Sequence, residues 1–238
     1  MKTVTWISGW ACPAEATQAF AQSVCPEAAH EIFLPTSICT EKMDTSSGAP
    51  SGVVAETEAG YGAKADIIVG YSTGAFLLLG AWDKLPSAAR VVLVAPFADF
   101  RAESGRGGKT PAAKLRFLLR WLRRDPLAAL QDFYQRAGLG EPPAGLPYAQ
   151  EELVWGIEQL AEVAQPGLAG QTDPYPKNEY ASPASAARDS RCLTVLVGDQ
   201  DTLLDAEALR ADFPMLTVVP GAGHALADFR KELTDALR

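Results

Sequence analysis

The sequence predicts an α/β fold, a mostly parallel sheet with helices on both faces and an inserted helical cap. Three observations predict it. Short β-branched runs alternate with helical stretches from residue 4 to residue 95, and again from residue 193 onward. Between those halves, from Pro111 to about Ala164, the periodicity is helical and no strand is legible. The run Ile67-Ile68-Val69 leads straight into Gly70-Tyr71-Ser72-Thr73-Gly74 and the apolar stretch Ala75–Leu79, which reads as a buried strand, a sharp turn and a buried helix. These features divide the chain into a sheet domain of residues 1–98 and 188–238 and a helical cap, or lid, of residues 99–187.

Each element follows from local chemistry. Val4–Ile7 is the first strand, Ser8-Gly9-Trp10-Ala11 the turn after it, Pro13–Val24 a helix and Glu31–Leu34 the second strand. Thr36–Gly52 is polar and reads as a surface loop, and Val53–Tyr61 as a helix leading to the strand at 67. Val91–Val94 is a further buried strand, ending at Ala95-Pro96. Arg101–Lys109 reads as a Gly-rich basic loop, Pro142-Pro143 and Pro147 split the helical block, and Pro166–Pro183 is loop by composition. Leu193–Val197 is a strand, Ala206–Ala211 a helix, Leu216–Val219 a strand and Leu226–Leu237 the closing helix.

Composition excludes several classes of function. The chain of 238 residues is 47% hydrophobic and 21% charged, as expected of a globular protein. Its net charge of −8 argues against general nucleic-acid binding. Only two histidines are present, so a histidine-based metal site is not expected, and no metal or cofactor is implied. Four cysteines, at 12, 25, 39 and 192, form no C-x-x-C pair. Reduced thiols in a cytoplasmic protein are the simpler reading. The apolar start is too short and polar for a signal peptide, and no apolar run approaches a membrane span.

Gly70–Gly74 fits G-x-S-x-G, the pattern of a nucleophile elbow, in which a strained strand-to-helix turn lifts the serine hydroxyl above the sheet. The flanking glycines avoid a Cβ that would collide with neighbouring elements. Serine is a poor nucleophile near neutral pH and needs a base, and that base needs an acid to orient it. His224, in Pro220-Gly221-Ala222-Gly223-His224 after a strand, is the only histidine downstream of Ser72 and is the expected base. His30, before a strand on the other side, reads as structural or surface. The acid is one of Asp199, Asp201 and Asp205. Asp201 is preferred because, three residues past Gly198, the turn has carried it clear of the strand end, whereas Asp199 remains open and the others suit turn or helix capping. Oxyanion donors are expected from the backbone N–H of Thr73, after the nucleophile, and of Trp10, in the turn after the first strand.

Ser-Gly-Trp-Ala at 8–11, Gly-Tyr-Ser-Thr-Gly at 70–74, Gly-Asp-Gln-Asp at 198–201 and Gly-His at 223–224 resemble the α/β-hydrolases. More narrowly they resemble the pimeloyl-acyl-carrier-protein methyl ester esterases of biotin synthesis. Those have a Gly-Trp oxyanion turn, a four-helix cap, and a cap segment similar to Leu153–Leu160 here, with its Gly-x-Glu-x-Leu pattern. The resemblance implies an α/β-hydrolase fold, a Ser72–His224–Asp201 triad with the aspartate third after the glycine, and a carboxylic ester substrate carried by acyl carrier protein. Ser8 stands where that family usually has His, and the stretch 35–60 aligns with nothing in it.

The cap carries one further signal. Residues 101–124 contain eight basic side chains and one acid, net +7, so the remainder of the chain is −15. Arg116, Arg120, Arg123 and Arg124 share one helical face, and Leu115, Leu118, Leu119 and Leu122 another. Such a face suits docking of an acidic partner such as acyl carrier protein. The alternatives are a solvated amphipathic face, or a membrane-surface helix anchored by Phe117 and Trp121, and membrane contact is not expected. Phe133 and Tyr134 are core residues or the lining of an acyl tunnel. The sequence thus leads to a serine carboxylesterase. A broad short-chain carboxylesterase or acyl thioesterase, and a non-catalytic binding protein on the same fold, are the rival readings.

Overall fold

The computed structural model describes residues 1–38, 64–169 and 193–238. Among these, Thr3–Ile7 (β1), Ala29–Phe33 (β2), Ile67–Tyr71 (β3), Arg90–Val94 (β4), Leu193–Gly198 (β7) and Thr217–Val219 (β8) form a six-stranded sheet in the order β2-β1-β3-β4-β7-β8. Every pairing in it is parallel. A parallel strand is covered on both faces, and β3 is buried at all five positions, which is why it reads as an apolar run rather than an alternation. Ile68, Val69, Val92 and Val94 are fully buried at its centre, each contributing about 1.5–3 kcal/mol.

The connections are helical. Ala14–Val24 (α1) links β1 to β2, and Thr73–Gly80 (α2) links β3 to β4. Ala206–Leu209 (α6) lies between β7 and β8, and Arg230–Ala236 (α7) closes the chain against α1. Residues expected as the helix Val53–Tyr61, most of the loop Thr36–Gly52 and much of Pro166–Pro183 lie outside the described residues, as do Cys39 and Cys192.

Between β4 and β7 stand Ala112–Arg124 (α3), Pro126–Ala137 (α4) and Gln150–Glu162 (α5). The Glu103 carboxylate accepts from the Ala112 N–H at the start of α3 (3.0 Å), and Asp125 caps α4 by accepting from the Ala128 N–H (3.2 Å). Glu152 reaches back to the Ala149 N–H (3.0 Å) at the start of α5 and accepts from the hydroxyl of Thr36, which follows β2 (2.8 Å). Leu115, Leu118 and Leu122 turn inward from α3, which packs on α5.

One expected loop is bounded by strands. Asp99–Arg101 (β5) and Gly107–Thr110 (β6) pair in parallel as a separate two-stranded sheet that takes in both ends of the stretch expected as the Arg101–Lys109 loop, and only the residues between them turn. A Cβ on Gly108 would fall 2.2 Å from the Phe100 carbonyl carbon, so glycine permits the close approach that joins the strands. The basic side chains of this stretch serve the fold. Arg101 pairs with buried Asp99 (2.6 Å), and Arg106 makes a forked pair with Asp212 (2.9 and 2.7 Å). Burial acts to raise the Asp99 pKa, but hydrogen bonds from Arg101 hold it below the usual carboxylate range.

Candidate active site

Ser72 sits between β3 and α2 with φ 53° and ψ −114°, a left-handed conformation that a serine adopts only when its surroundings impose it. Its N–H donates to the Val94 carbonyl (2.8 Å), and its carbonyl accepts from the Phe76 N–H (3.0 Å). The two glycines are steric necessities. A Cβ at Gly70 would lie 2.9 Å from the Ala75 Cα, and one at Gly74 would lie 2.2 Å from the Ile7 carbonyl oxygen at the end of β1.

The elbow delivers the hydroxyl to a buried hydrogen-bond chain. Ser72 Oγ lies 2.9 Å from His224 Nε2, and His224 Nδ1 lies 2.7 Å from Asp201 Oδ2. The carboxylate is an acceptor, so it holds the proton on Nδ1 and leaves Nε2 free to accept from the serine hydroxyl. The other carboxylate oxygen of Asp201 accepts from the N–H groups of Leu203 (2.8 Å) and Leu204 (3.0 Å). Asp201 and His224 are each 2% exposed and Ser72 is 8% exposed, so the chain is shielded from water. The three aspartates of the sequence separate cleanly. Asp199 is exposed and accepts from the Gly221 N–H (2.7 Å), while Asp205 caps α6 through the N–H groups of Glu207 and Ala208. His30 accepts from the Trp6 indole (3.1 Å) and donates to the Cys25 carbonyl (2.8 Å), a structural role.

Several positioning groups have no signal in the sequence. The Lys109 ammonium donates to the Asp201 backbone carbonyl (2.7 Å), and the Lys109 N–H to the Leu203 carbonyl (2.9 Å), so β6 braces the turn that presents the carboxylate. The Tyr71 hydroxyl donates to the His224 carbonyl (3.0 Å). A Cβ on Gly198 would meet the Ala222 carbonyl at 2.1 Å, which brings the end of β7 against the histidine loop. Burial, with Cys12, Asp201 and Tyr134 nearby, raises the Tyr71 pKa, so the phenol stays protonated.

A recess of about 300 Å³, including the solvent at its mouth, opens over Ser72 and His224. Trp10 and Thr73 both line it, and among the described residues neither N–H is engaged in a hydrogen bond. Its walls are apolar, with Phe100, Phe133, Leu139, Leu160 and Leu203. Phe133 therefore faces the recess, and Tyr134 does not. One residue along the helix turns the side chain by about 100°, and the Tyr134 hydroxyl donates instead to the Ala11 carbonyl (2.8 Å). Cys12 also lines the recess; burial pushes its thiol up to about 12, against a hydrogen bond with Gly9.

Arg116, Arg120, Arg123 and Arg124 are all exposed on α3. Arg123 is bound to Glu158 of α5 (2.6 Å), and among the described residues Arg116, Arg120 and Arg124 have no ion-pair partner within bonding distance. Phe117 is 52% exposed and edge-on to Trp121 (5.7 Å between ring centres). Among the described residues no helix is long and apolar enough to cross a membrane, and no cluster of three or more His, Cys, Asp or Glu side chains could hold a metal ion.

The profile of the Alpha/beta hydrolase family matches residues 40–236. Comparison with curated proteins finds no match. Among solved structures, the chain is similar to an esterase from Exiguobacterium antarcticum, with a TM-score of 0.54 at 13% identity, covering 100% of this chain and 90% of that one. A thermophilic esterase from Thermogutta terrifontis gives a TM-score of 0.52 at 16% identity, covering 100% and 88%. The bottromycin epimerase BotH, in complex with bottromycin A2, gives 0.53 at 13% identity, covering 98% and 87%. At these identities the likeness is one of fold.

Proposed function

The chain belongs to the alpha/beta hydrolase family, and from that premise we propose that it is a serine carboxylesterase working through an acyl-enzyme. The observation that carries this reading is the buried Ser72–His224–Asp201 chain, at 2.9 and 2.7 Å. Ser72 Oγ attacks the ester carbonyl while His224 Nε2 takes its proton. The tetrahedral oxyanion is held by the N–H groups of Trp10 and Thr73. His224 then protonates the leaving alkoxide, and the acyl-enzyme is hydrolysed by water in the reverse sense. Asp201, accepting from His224 Nδ1, orients the ring and supports the imidazolium. Two esterases of similar fold are consistent with this chemistry, as is the apolar lining of the recess, which suits an uncharged acyl group beside the scissile bond.

For the substrate we propose the methyl ester of pimeloyl-acyl-carrier protein. The support is the sequence resemblance together with the exposed Arg116, Arg120 and Arg124, which offer an acidic carrier a basic docking face on α3. Methanol release from that ester by the wild type, absent in Ser72→Ala, is the expected result. Cleavage of simple aryl esters without methanol release would leave the mechanism and remove the substrate. The narrow apolar recess also suits a second reading, a short-chain carboxylesterase, which would treat carrier-bound and free esters alike.

A further inference from the structure

We infer that the cap is part of the oxyanion site, with Tyr134 and Tyr148 as positioning residues that hold the turn bearing the Trp10 N–H. This inference rests on the reading of Trp10 as an oxyanion donor.

The turn is Gly9-Trp10-Ala11-Cys12, closed by the Cys12 N–H donating to the Gly9 carbonyl (3.3 Å). That bond turns the carbonyl of the Gly9–Trp10 peptide toward Cys12, and the Trp10 N–H, trans to it, is directed the other way. Apart from bonds within the turn itself, from the Cys12 N–H to Gly9 and from the Cys12 thiol to the Trp10 carbonyl (3.7 Å), the next two peptides are held from the cap. The Ala11 N–H donates to the Tyr148 hydroxyl (2.5 Å), and the Ala11 carbonyl accepts from the Tyr134 hydroxyl (2.8 Å). Ala11 has φ 62°, a conformation that favours glycine and persists in alanine only where it is held. The Trp10 side chain is fixed from the same side. Its indole N–H donates to the Leu153 carbonyl of α5 (2.9 Å), and its ring packs edge-on against Phe133 (4.7 Å between centres). Gly156 leaves room for it, since a Cβ there would lie 2.4 Å from Trp10 Cδ1.

The cap thus orients two of the three peptides of the turn and the side chain of its donor residue. Burial raises the pKa of both tyrosines, so both hydroxyls keep their protons at any working pH. A lid that merely covered the site could lift without changing the chemistry. Lifting this one would release Ala11 from its left-handed conformation and let the Trp10 N–H swing away from the oxyanion. Cap closure and competence for catalysis are then one event.

The test uses the full chain, p-nitrophenyl butyrate as substrate and an alkyl trifluoromethyl ketone as inhibitor. Ser72 Oγ adds to the ketone carbon, its proton passes to His224, and the resulting hemiketal oxyanion occupies the donor site. Tyr134→Phe and Tyr148→Phe remove only the hydroxyls, and Gly156→Ala pushes on the Trp10 ring from another side. Any one of the three that folds decides the matter. The inference predicts a kcat lower by roughly tenfold to a hundredfold with KM within about twofold. The inhibition constant of the ketone should rise by the same factor as kcat/KM falls. A folded variant that keeps its kcat and ketone affinity, whatever its melting temperature, overturns the inference. Fluorophosphonate labelling of the wild type separates the two levels. A wild type that is not labelled at Ser72 sinks the esterase reading itself, whereas a labelled wild type with unaffected variants sinks only the role of the cap.

Discussion

Replacing Asp201 by Asn changes one atom in a site where every other contact is fixed. The Asp201 side chain has no solvent exposure and accepts three hydrogen bonds, from His224 Nδ1 at 2.7 Å, Leu203 N at 2.8 Å and Leu204 N at 3.0 Å. An asparagine is nearly isosteric, but only one of its two terminal atoms can accept. The two backbone N–H groups keep the oxygen on their side, because turning the amide nitrogen toward them would strand buried donors at about 1–3 kcal/mol each. The NH₂ group therefore faces His224 Nδ1, which must become an acceptor. The ring proton moves to Nε2, the atom 2.9 Å from Ser72 Oγ, and the base can no longer take the serine proton. Wrong-tautomer variants of this kind lose roughly 10⁴-fold in kcat, or about 5.5 kcal/mol at 1.36 kcal/mol per tenfold. The fold should survive, since the backbone contacts are kept. Asp199→Asn is the matched control, because its exposed carboxylate meets the Gly221 N–H and the Gln200 amide rather than the histidine. It should stay within a few-fold of wild type. The assay is kcat for p-nitrophenyl butyrate near neutral pH, with circular dichroism to show folding. An Asp201→Asn protein that kept a tenth of the activity, or an Asp199→Asn protein that fell as far, would refute the assignment of the acid.

Other expectations follow from the same contacts. Gly74→Ala would place its Cβ 2.2 Å from the Ile7 carbonyl oxygen, so either the elbow or the end of β1 must shift. We expect a loss of several kcal/mol in chemical denaturation, of the size seen for severe steric insertions, and a wild-type melting curve would contradict it. Lys109→Met removes the ammonium that braces the Asp201 carbonyl and should lower kcat about tenfold or less with little change in KM, measured on the same ester. The raised pKa values of Cys12 and Tyr71 mean the folded state holds those protons more tightly than the unfolded state. Stability should therefore be intact below the ordinary thiol value and fall as pH rises toward about 12. Denaturation midpoints that stayed level across the alkaline range would count against this. Charge reversal of Arg116, Arg120 and Arg124 to Glu should raise KM for a carrier-bound ester and spare a free short ester. Equal losses on both would make α3 a purely structural helix.

The parts legible in the sequence are those with a strong local signature. Buried parallel strands read as apolar runs, so β1, β3, β4 and β7 are visible at 4–7, 67–69, 91–94 and 193–197. The elbow is visible because three constraints coincide in five residues: a strand before, a helix after and glycines where Ala75 and Ile7 leave no room. His224 is visible through its uniqueness and its place after β8. What is not legible depends on partners distant in sequence. The β5–β6 pair has three and four residues, carries charges and glycines, and shows no period; its register depends on Gly108 against Phe100 and on its contact with the turn at Asp201–Leu204. Asp199 and Asp201 differ by two residues, and only the three-dimensional turn points one at Gly221 and the other at His224. Phe133 and Tyr134 are adjacent, yet helical rotation sends one to the recess and the other to Ala11. The excess positive charge of residues 101–124 is partly structural, since Arg101, Arg106 and Arg123 are each committed to a carboxylate.

The claim on which the rest depends is that Ser72 is a nucleophile activated by His224. Intact-protein mass spectrometry after exposure to a fluorophosphonate, followed by peptide mapping, tests it directly. The account predicts one adduct, on the peptide containing Ser72, and none in Ser72→Ala or His224→Ala. An unlabelled wild type, or an adduct elsewhere that persists in Ser72→Ala, would contradict it.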